Sequence, residues 1–333
     1  MFALVKTEQK REVTFQEVPL PVLSAGEALV KVEYCGVCGS DLHAYNHAPG
    51  YEFVQMPRIL GHEISGTVVE VFDDRDKHLI NRQVITESIQ FCGNCETCRS
   101  GRTNICERFR CMGLHMDGGM AQFVKCETRF IQPIPEGLPS EIAALVEPLS
   151  IAVHAVDTIG NIRDGEKVWV QGPGTIGFFT GLVCRARGAE VVLSGLPMDW
   201  DARLRHASTF GMKPFVTGEM EVPADKVDVL FECSGSPKGV LSGLDRLKKG
   251  GRAVFVAMYE HDVTLAMTKA IRNEWKFSAS YGCQPKDYQK AFVILQEYAK
   301  ELEQIISLYP LQRGAAAFAD ALDKKVMKPI LKI

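Results

Sequence analysis

Four cysteines, Cys92, Cys95, Cys98 and Cys106, stand in the run Phe91-Cys-Gly-Asn-Cys-Glu-Thr-Cys-Arg-Ser-Gly-Arg-Thr-Asn-Ile-Cys. Two residues separate the first three thiols and seven precede the fourth. Thiolates this close repel one another unless a cation lies between them. A tetrahedral Zn²⁺ accepts four sulfur ligands and then has no open position, so the cluster predicts a structural zinc rather than a catalytic one. An iron–sulfur cluster also takes four thiolates. The spacing of the fourth cysteine, and Glu107 where such a motif carries Pro, fit it poorly. A disulfide framework does not suit a 333-residue chain without an apolar signal run at its start.

A second chemical signature lies in the middle of the chain. Lys167-Val-Trp-Val-Gln-Gly172-Pro-Gly174-Thr175-Ile176-Gly177 reads as a strand running into G-x-G-x-x-G and then an apolar helix. Gly172 allows the tight turn, Gly174 lets backbone approach a pyrophosphate, and Gly177 lets helix and strand pack closely. The helix start then offers free N–H groups to the phosphates. The next strand ends at Ser194-Gly195, where an Asp or Glu usually binds the ribose 2′-hydroxyl of NAD. With no carboxylate there, a 2′-phosphate meets no repulsion. Ser194, Arg203 and Arg205 are candidate partners for it, giving a slight expectation of NADP over NAD. Solvated helix charges are the ordinary alternative for the two arginines.

A third set is dispersed. Cys38 and Ser40-Asp41-Leu-His43 precede Gly61-His62-Glu63, and Glu147 follows much later in Leu145-Val-Glu-Pro-Leu-Ser. A thiolate, an imidazole and a carboxylate make a three-ligand zinc site with one position open for water or substrate. Each residue also has an ordinary reading: a buried thiol, a satisfied core histidine, and a helix-start charge beside Pro148.

The elements that must position these groups divide the chain in two. The first ~130 residues read as short alternating strands broken by Gly, Pro and Asn/Asp, which predicts an antiparallel, barrel-like β domain. From about residue 150, the strand-like runs 167–171, 190–194, 227–233 and 252–258 alternate with helix-like stretches at 175–188, 201–211 and 236–249. This predicts a doubly wound parallel sheet. A last strand at 277–281, a helix over 285–302 and a strand-like tail at 326–333 complete the reading. Hydrophobic residues are 46% and charged residues 24%, ordinary for a globular chain, and the net charge of −3 gives no electrostatic case for nucleic acid. No apolar stretch is expected to reach the ~20 residues that span a bilayer. Eleven cysteines without a signal run point to a reducing cytoplasm. Outside the motifs, Cys35, Cys111, Cys126, Cys184, Cys233 and Cys283 read as small buried hydrophobes.

Taken in order, G-V-C-G-S-D-L-H, G-H-E-I-S-G, C-x₂-C-x₂-C-x₇-C, V-E-P-L-S and G-P-G-T-I-G resemble the zinc-dependent medium-chain dehydrogenases over essentially the whole chain. The resemblance implies a GroES-like catalytic domain over 1–152 with a zinc lobe at about 90–110. It further implies a Rossmann NAD(P)-binding domain over 153–285 and a segment, 286–333, that returns to the first domain. It makes Cys38, His62 and Glu147 the catalytic zinc ligands, and Glu63 a carboxylate beside the metal. Ser40 and His43 become a proton relay, Asp41 the residue that orients His62, and the four cysteines the structural site. Two zincs per subunit, a homodimer or homotetramer, and a soluble small-molecule substrate follow from the same resemblance.

V-E-P-L-S is similar to the polyol, sorbitol-like branch. The short segment Phe72–Ile80 resembles cyclitol and aminocyclitol dehydrogenases. Asn81-Arg-Gln-Val84 and Asp117-Gly-Gly-Met-Ala-Gln-Phe123 depart from the usual G-D-R-V and D-G-G-F-A-E-Y. The expected reaction is oxidation of a secondary alcohol to a ketone with NAD(P). A threonine-type amino-alcohol dehydrogenase and a non-catalytic NADPH-binding protein on the same fold are the alternatives. Tyr45, His47, Glu63, Arg110 and His115 are unranked candidates for contact with neighbouring substrate hydroxyls.

Overall fold

The computed structural model describes residues 1–333. By contacts the chain divides into Met1–Glu147 with Leu295–Ile333, and Pro148–Ile294.

The first unit is β-rich. Strands β1 (Phe2–Lys6), β2 (Val13–Glu17), β3 (Glu27–Gly36), β4 (Arg58–Ile59), β5 (Glu63–Val71) and β6 (Gln83–Thr86) are followed by β7 (Ile89–Gln90), β8 (Arg110–Cys111), β9 (Phe123–Glu127) and β10 (Ile131–Pro133). β3 is the hub: it pairs antiparallel with both β5 and β9. Its alternating residues Ala28, Val30 and Val32 are buried, and they meet Val68, Val124 and Cys126 in one core. This is the two-residue period of a strand with one apolar face. Helix α1 (Gly39–Tyr45) begins directly after β3, where Asp41 reaches back to accept the Cys38 backbone N–H at 2.9 Å. β7 and β8 form a separate two-stranded ribbon, and the segment between them, which includes helix α2 (Glu96–Arg99), carries the four cysteines.

Helices α3 (Ser140–Ala143) and α4 (Val146–Val153) lead into a π-helical turn, His154–Gly160. Together, Ser140–Gly160 is long and apolar enough to cross a bilayer by length and composition, against the expectation that no such stretch exists. Its most apolar window is 78% buried inside the protein, which makes it core helix.

The second unit carries a six-stranded parallel sheet of order β13-β12-β11-β14-β15-β16. Its strands are β11 (Lys167–Gln171), β12 (Glu190–Gly195), β13 (Lys213–Val216), β14 (Val227–Glu232), β15 (Leu247–Phe255) and β16 (Lys276–Ala279). Val168, Val170, Leu193, Val229, Phe231, Ala253 and Val254 are buried, the near-continuous apolar signature of a sheet covered on both faces. Helices α5 (Thr175–Ala186) and α6 (Pro237–Leu244) are crossovers, followed by α7 (Met267–Arg272) and α8 (Pro285–Leu302).

Two expected elements differ. The stretch 201–211 is a 3₁₀ helix, Leu204–Phe210, and not an α-helix. Leu204, Ala207 and Phe210 recur every third residue and all are buried, the period of a 3₁₀ turn. The helix expected over 236–249 stops at Leu244, because Leu247-Lys-Lys-Gly-Gly is drawn into an irregular start of β15.

After α8, β17 (Ile306–Pro310), α9 (Gly314–Leu322) and β18 (Lys328–Lys332) rejoin the first unit. β18 lies parallel to β17 and antiparallel to β3, so the tail completes a seven-stranded sheet begun by residues near the start.

Candidate functional site

The cysteine lobe is a single loop held on the β7–β8 ribbon. All four sulfurs lie within 4.8 Å of one another, and none forms a disulfide. The sulfur–sulfur distances for Cys92–Cys98, Cys95–Cys106 and Cys92–Cys106 are 4.0, 3.8 and 3.5 Å. Four ligands at about 2.3 Å from a tetrahedral centre stand about 3.8 Å apart, so the donor set fits zinc without rearrangement. The Thr97 hydroxyl, 3.1 Å from Cys95 Sγ, leads the causes that hold that thiol down to about 5, while burial pushes Cys98 up to about 12. A second thiolate beside the first is unfavourable until a dication joins them. Phe91 anchors the lobe edge-on against the buried Phe130 at 5.1 Å, and Arg129 stacks over Phe130 at 4.4 Å.

The dispersed set is held in the first unit by a different device. Asp41, fully buried, accepts from Cys38 N–H at 2.9 Å and Gly61 N–H at 3.1 Å, and its Oδ1 lies 3.8 Å from His62 Nδ1. One carboxylate thus fixes the backbone on both sides of the set and faces the imidazole. His62 Nε2 lies 3.3 Å from Ser40 Oγ, and the His62 ring hydrogen-bonds the Cys38 thiol. His43 follows Ser40 by one helical turn on α1, is half-buried, and stacks on Tyr51 at 5.1 Å. Glu147, 5% exposed at the start of α4, hydrogen-bonds Ser88.

Burial would lower the His62 pKa, but Asp41, Cys38 and Cys111 outweigh it and raise it well above its usual value. Burial raises Glu147, and Glu63 adds to it. Buried Asp41, Glu63 and Glu147 are thus opposed by His62 and one buried lysine, Lys328. His62 Nδ1 is left without a hydrogen bond. The set combines surplus buried acid with a thiol and an imidazole, the donor types a divalent cation takes, but only the four cysteines of the lobe have their ligand atoms already within 4.8 Å of one another.

Three residues of this pocket escaped the sequence reading. Lys328, from β18, pairs with Glu63 and donates to Val37 O at 3.2 Å. Its signal was a lysine inside an apolar strand. Ser88 binds Glu147, and Cys111 lies near His62, its thiol pushed up to about 12 by burial, which keeps it the neutral group the sequence suggested. Both stand at one end of the ribbon whose other end is the cysteine lobe.

The unranked candidates separate. Arg110 and His115 line a cavity of about 690 Å³ with Arg58, Asp117 and Lys125, a set that contains none of Cys38, His62 or Glu147. Tyr45 is a core residue against Phe318 at 4.9 Å, and His47 Nε2 sits 3.1 Å from Lys6 Nζ.

In the second unit, Gly172, Gly174, Thr175, Ile176 and Gly177 form the turn from β11 into α5, with Gly174 at the helix N-cap. Gly195 ends β12 as expected, and it has a steric reason: a Cβ there would lie 2.6 Å from Pro173 Cγ. A side chain at 195 would have to displace Pro173 of the glycine-rich turn. Ser194, expected to face a 2′-phosphate, is instead fully buried and donates to Val170 O at 3.0 Å and Gln171 Oε1 at 3.1 Å. Arg203, expected to be free for the phosphate, is held by Asp199 at 3.3 Å, and Asp199 also accepts from Leu196 N–H.

A GroES-like β unit with a cysteine lobe, joined in one chain to a doubly wound sheet with a dinucleotide turn, defines a two-domain dehydrogenase. Residues 24–136 match the alcohol dehydrogenase GroES-like domain, and residues 175–297 match the zinc-binding dehydrogenase domain. A sorbitol dehydrogenase of Halalkalibacterium halodurans is 32% identical over 310 residues, 89% of each chain. An L-galactonate-5-dehydrogenase of Escherichia coli is 28% identical, over 87% of this chain and 86% of its own. A putative zinc-binding dehydrogenase of Sinorhizobium meliloti, solved bound to NADP, superposes with a TM-score of 0.88 at 27% identity, covering 100% of this chain and 99% of that one. The chain belongs to the zinc-dependent medium-chain dehydrogenases.

Proposed function

We propose that this chain oxidises a secondary hydroxyl of a polyol, cyclitol or sugar acid to a ketone, with NAD(P) as hydride acceptor, and catalyses the reverse reduction. The observation that carries the reading is the acid-rich pocket of Cys38, His62 and Glu147 in a chain that also holds a strand–G-x-G-x-x-G–helix turn. Zinc, when bound, supplies Lewis acidity toward the substrate oxygen, and the nicotinamide supplies the hydride site.

The residues have separate tasks. Cys38, His62 and Glu147 hold the catalytic metal, and Asp41 fixes His62. Ser40 Oγ takes the substrate proton, and His43, one turn along α1 and half-buried, passes it to solvent. Lys328 holds the Glu63 carboxylate beside the pocket. Cys92, Cys95, Cys98 and Cys106 hold a second, structural zinc.

For the cofactor we favour NADP slightly. Position 195 carries no carboxylate, and the exposed Arg205 stands in the 3₁₀ helix that follows. Ser194 no longer supports the choice. β16 ends the parallel sheet with one side unpaired, and Met267 and Ile271 of α7 are exposed, which supports a homodimer or homotetramer. The cysteine content supports a reducing, cytoplasmic setting.

The decisive experiment is a turnover screen of polyols, inositols, aminocyclitols, aldonates and threonine with both cofactors, alongside zinc content. Turnover of a polyhydroxylated alcohol with two zincs per chain is expected. Threonine as the sole good substrate would move the chain to the amino-alcohol class. One zinc and no turnover of any substrate would leave a non-catalytic dinucleotide-binding protein.

A further inference from the structure

Glu232 ends β14, and its side chain is fully buried. β14 lies beside β11, where the strand order turns from β11-β12-β13 to β14-β15-β16. In a doubly wound sheet the ligand crosses the strand ends at that point, one mononucleotide to each half of the sheet. A buried carboxylate there is costly unless donors surround it.

Donors from two loops do so. Glu232 Oε1 accepts from Ser234 N–H at 3.0 Å and from the Ser234 hydroxyl. Oε2 accepts from Gly235 N–H at 3.3 Å and from the Tyr259 hydroxyl. The Glu232 carbonyl accepts Val256 N–H at 2.9 Å and Ala257 N–H at 3.2 Å. Burial, with the carboxylate beside it, raises the Tyr259 pKa, so that hydroxyl stays a donor.

The loop after β14 and the segment after β15 are therefore tied to one residue, and they are packed against each other. A Cβ on Gly235 would lie 2.7 Å from Met258 O. The same loop also abuts the dinucleotide turn: Gly172, at φ +100°, would place a Cβ 2.7 Å from Ser234 Cα.

We propose that Glu232 is a positioning residue for the nicotinamide ring of the cofactor. Its carboxylate holds the loops after β14 and β15 together as one cradle, and Tyr259 latches the second loop onto it. The adenosine half, on the β11-β12-β13 side, does not depend on it. The proposal rests on the dehydrogenase reading above.

The test compares ligands that do and do not carry nicotinamide. Dissociation constants for NADH and NADPH, and for ADP-ribose and its 2′-phosphate, are measured on the wild-type protein, Glu232→Gln and Tyr259→Phe, with Tm recorded for each. An amide at 232 offers one acceptor oxygen to donors that need two. Glu232→Gln is expected to weaken the preferred reduced dinucleotide by about tenfold, and Tyr259→Phe by about threefold, with the matching ADP-ribose compound within about twofold of wild type.

Equal weakening of both ligands, or of neither, in a folded variant overturns the proposal and leaves Glu232 a purely structural group. If Glu232→Gln does not fold, Tyr259→Phe decides by the same split. A wild-type protein that binds neither reduced dinucleotide would bring down the dehydrogenase reading and this proposal with it. Tight wild-type binding without the split in the variants would overturn only the proposal.

Discussion

The first unit contains two sets of metal-ligand residue types, and they are assembled in opposite ways. The cysteine lobe takes all its ligands from one short loop, part of it at the surface, and its sulfurs already stand at the spacing of a zinc tetrahedron. The Cys38, His62 and Glu147 set draws its groups from the end of β3, the start of β5 and the start of α4. It is nearly closed to solvent, and the buried carboxylates Asp41, Glu63 and Glu147 outnumber the one lysine. A contiguous loop closed by its own sulfurs has nothing left over for chemistry. In the function proposed above, a set assembled by long-range folding, with three protein ligands and a serine beside the imidazole, leaves a position for substrate.

The sharpest way to break this comparison is to remove a ligand from each cluster. Glu147→Ala should abolish one zinc and lower kcat/KM by about 10³-fold or more, with Tm little changed, since several kcal/mol of Lewis-acid assistance disappear. Metal content and turnover on the folded variant check this; retention of both zincs with normal turnover would refute the assignment. Cys95→Ser should do the converse. The other zinc is lost and Tm falls, on the order of 10 °C, because metal binding there is folding free energy. Activity of the protein that remains folded should stay within about tenfold of wild type. Abolished turnover in a folded, assembled Cys95→Ser protein would show that the lobe serves the catalytic pocket directly.

The smallest effect concerns the link between β6 and β7. Glu87, next to Ser88, is buried and accepts from Gln132; burial raises its pKa to about 7. The fold prefers this carboxyl protonated. Its contribution is therefore fully present below its ordinary value of 4.5 and is lost as pH rises through about 7. Glu87→Gln keeps the neutral shape, so it should raise stability at pH 8 by about 1–2 kcal/mol and leave it little changed at pH 4. Thermal melts at the two pH values decide; an equal loss at both would mean that the carboxylate form is the native one.

The lobe was readable because its geometry depends on spacing within one loop, and the glycine-rich turn because its flanking strand and helix carry clear periods. Asp41 and His43 were readable only through resemblance, since no local pattern says that an aspartate will cap Cys38 and face His62 together. Ser88, Cys111 and Lys328 were not readable. Ser88 and Cys111 reach the pocket through the pairing of β7 with β8, and Lys328 through β18 pairing with β3. Ser194 misled for a related reason. Beside a cofactor motif a serine looks available, but the pleat of β12 turns it inward onto Val170 and Gln171.

By itself the sequence determined the chemistry on offer: four thiols that want one metal, a turn that binds a dinucleotide, and an alternation of elements that makes a β unit and a parallel sheet. Those properties depend on neighbours a few residues away. Tertiary structure alone decided which groups face one another: the acid surplus around His62, the lysine from the chain's end beside Glu63, the closeness of Pro173 to Gly195, and the ring of donors around Glu232. Each depends on strand register and packing between segments far apart in the chain, where a shift of one residue turns a side chain to the opposite face.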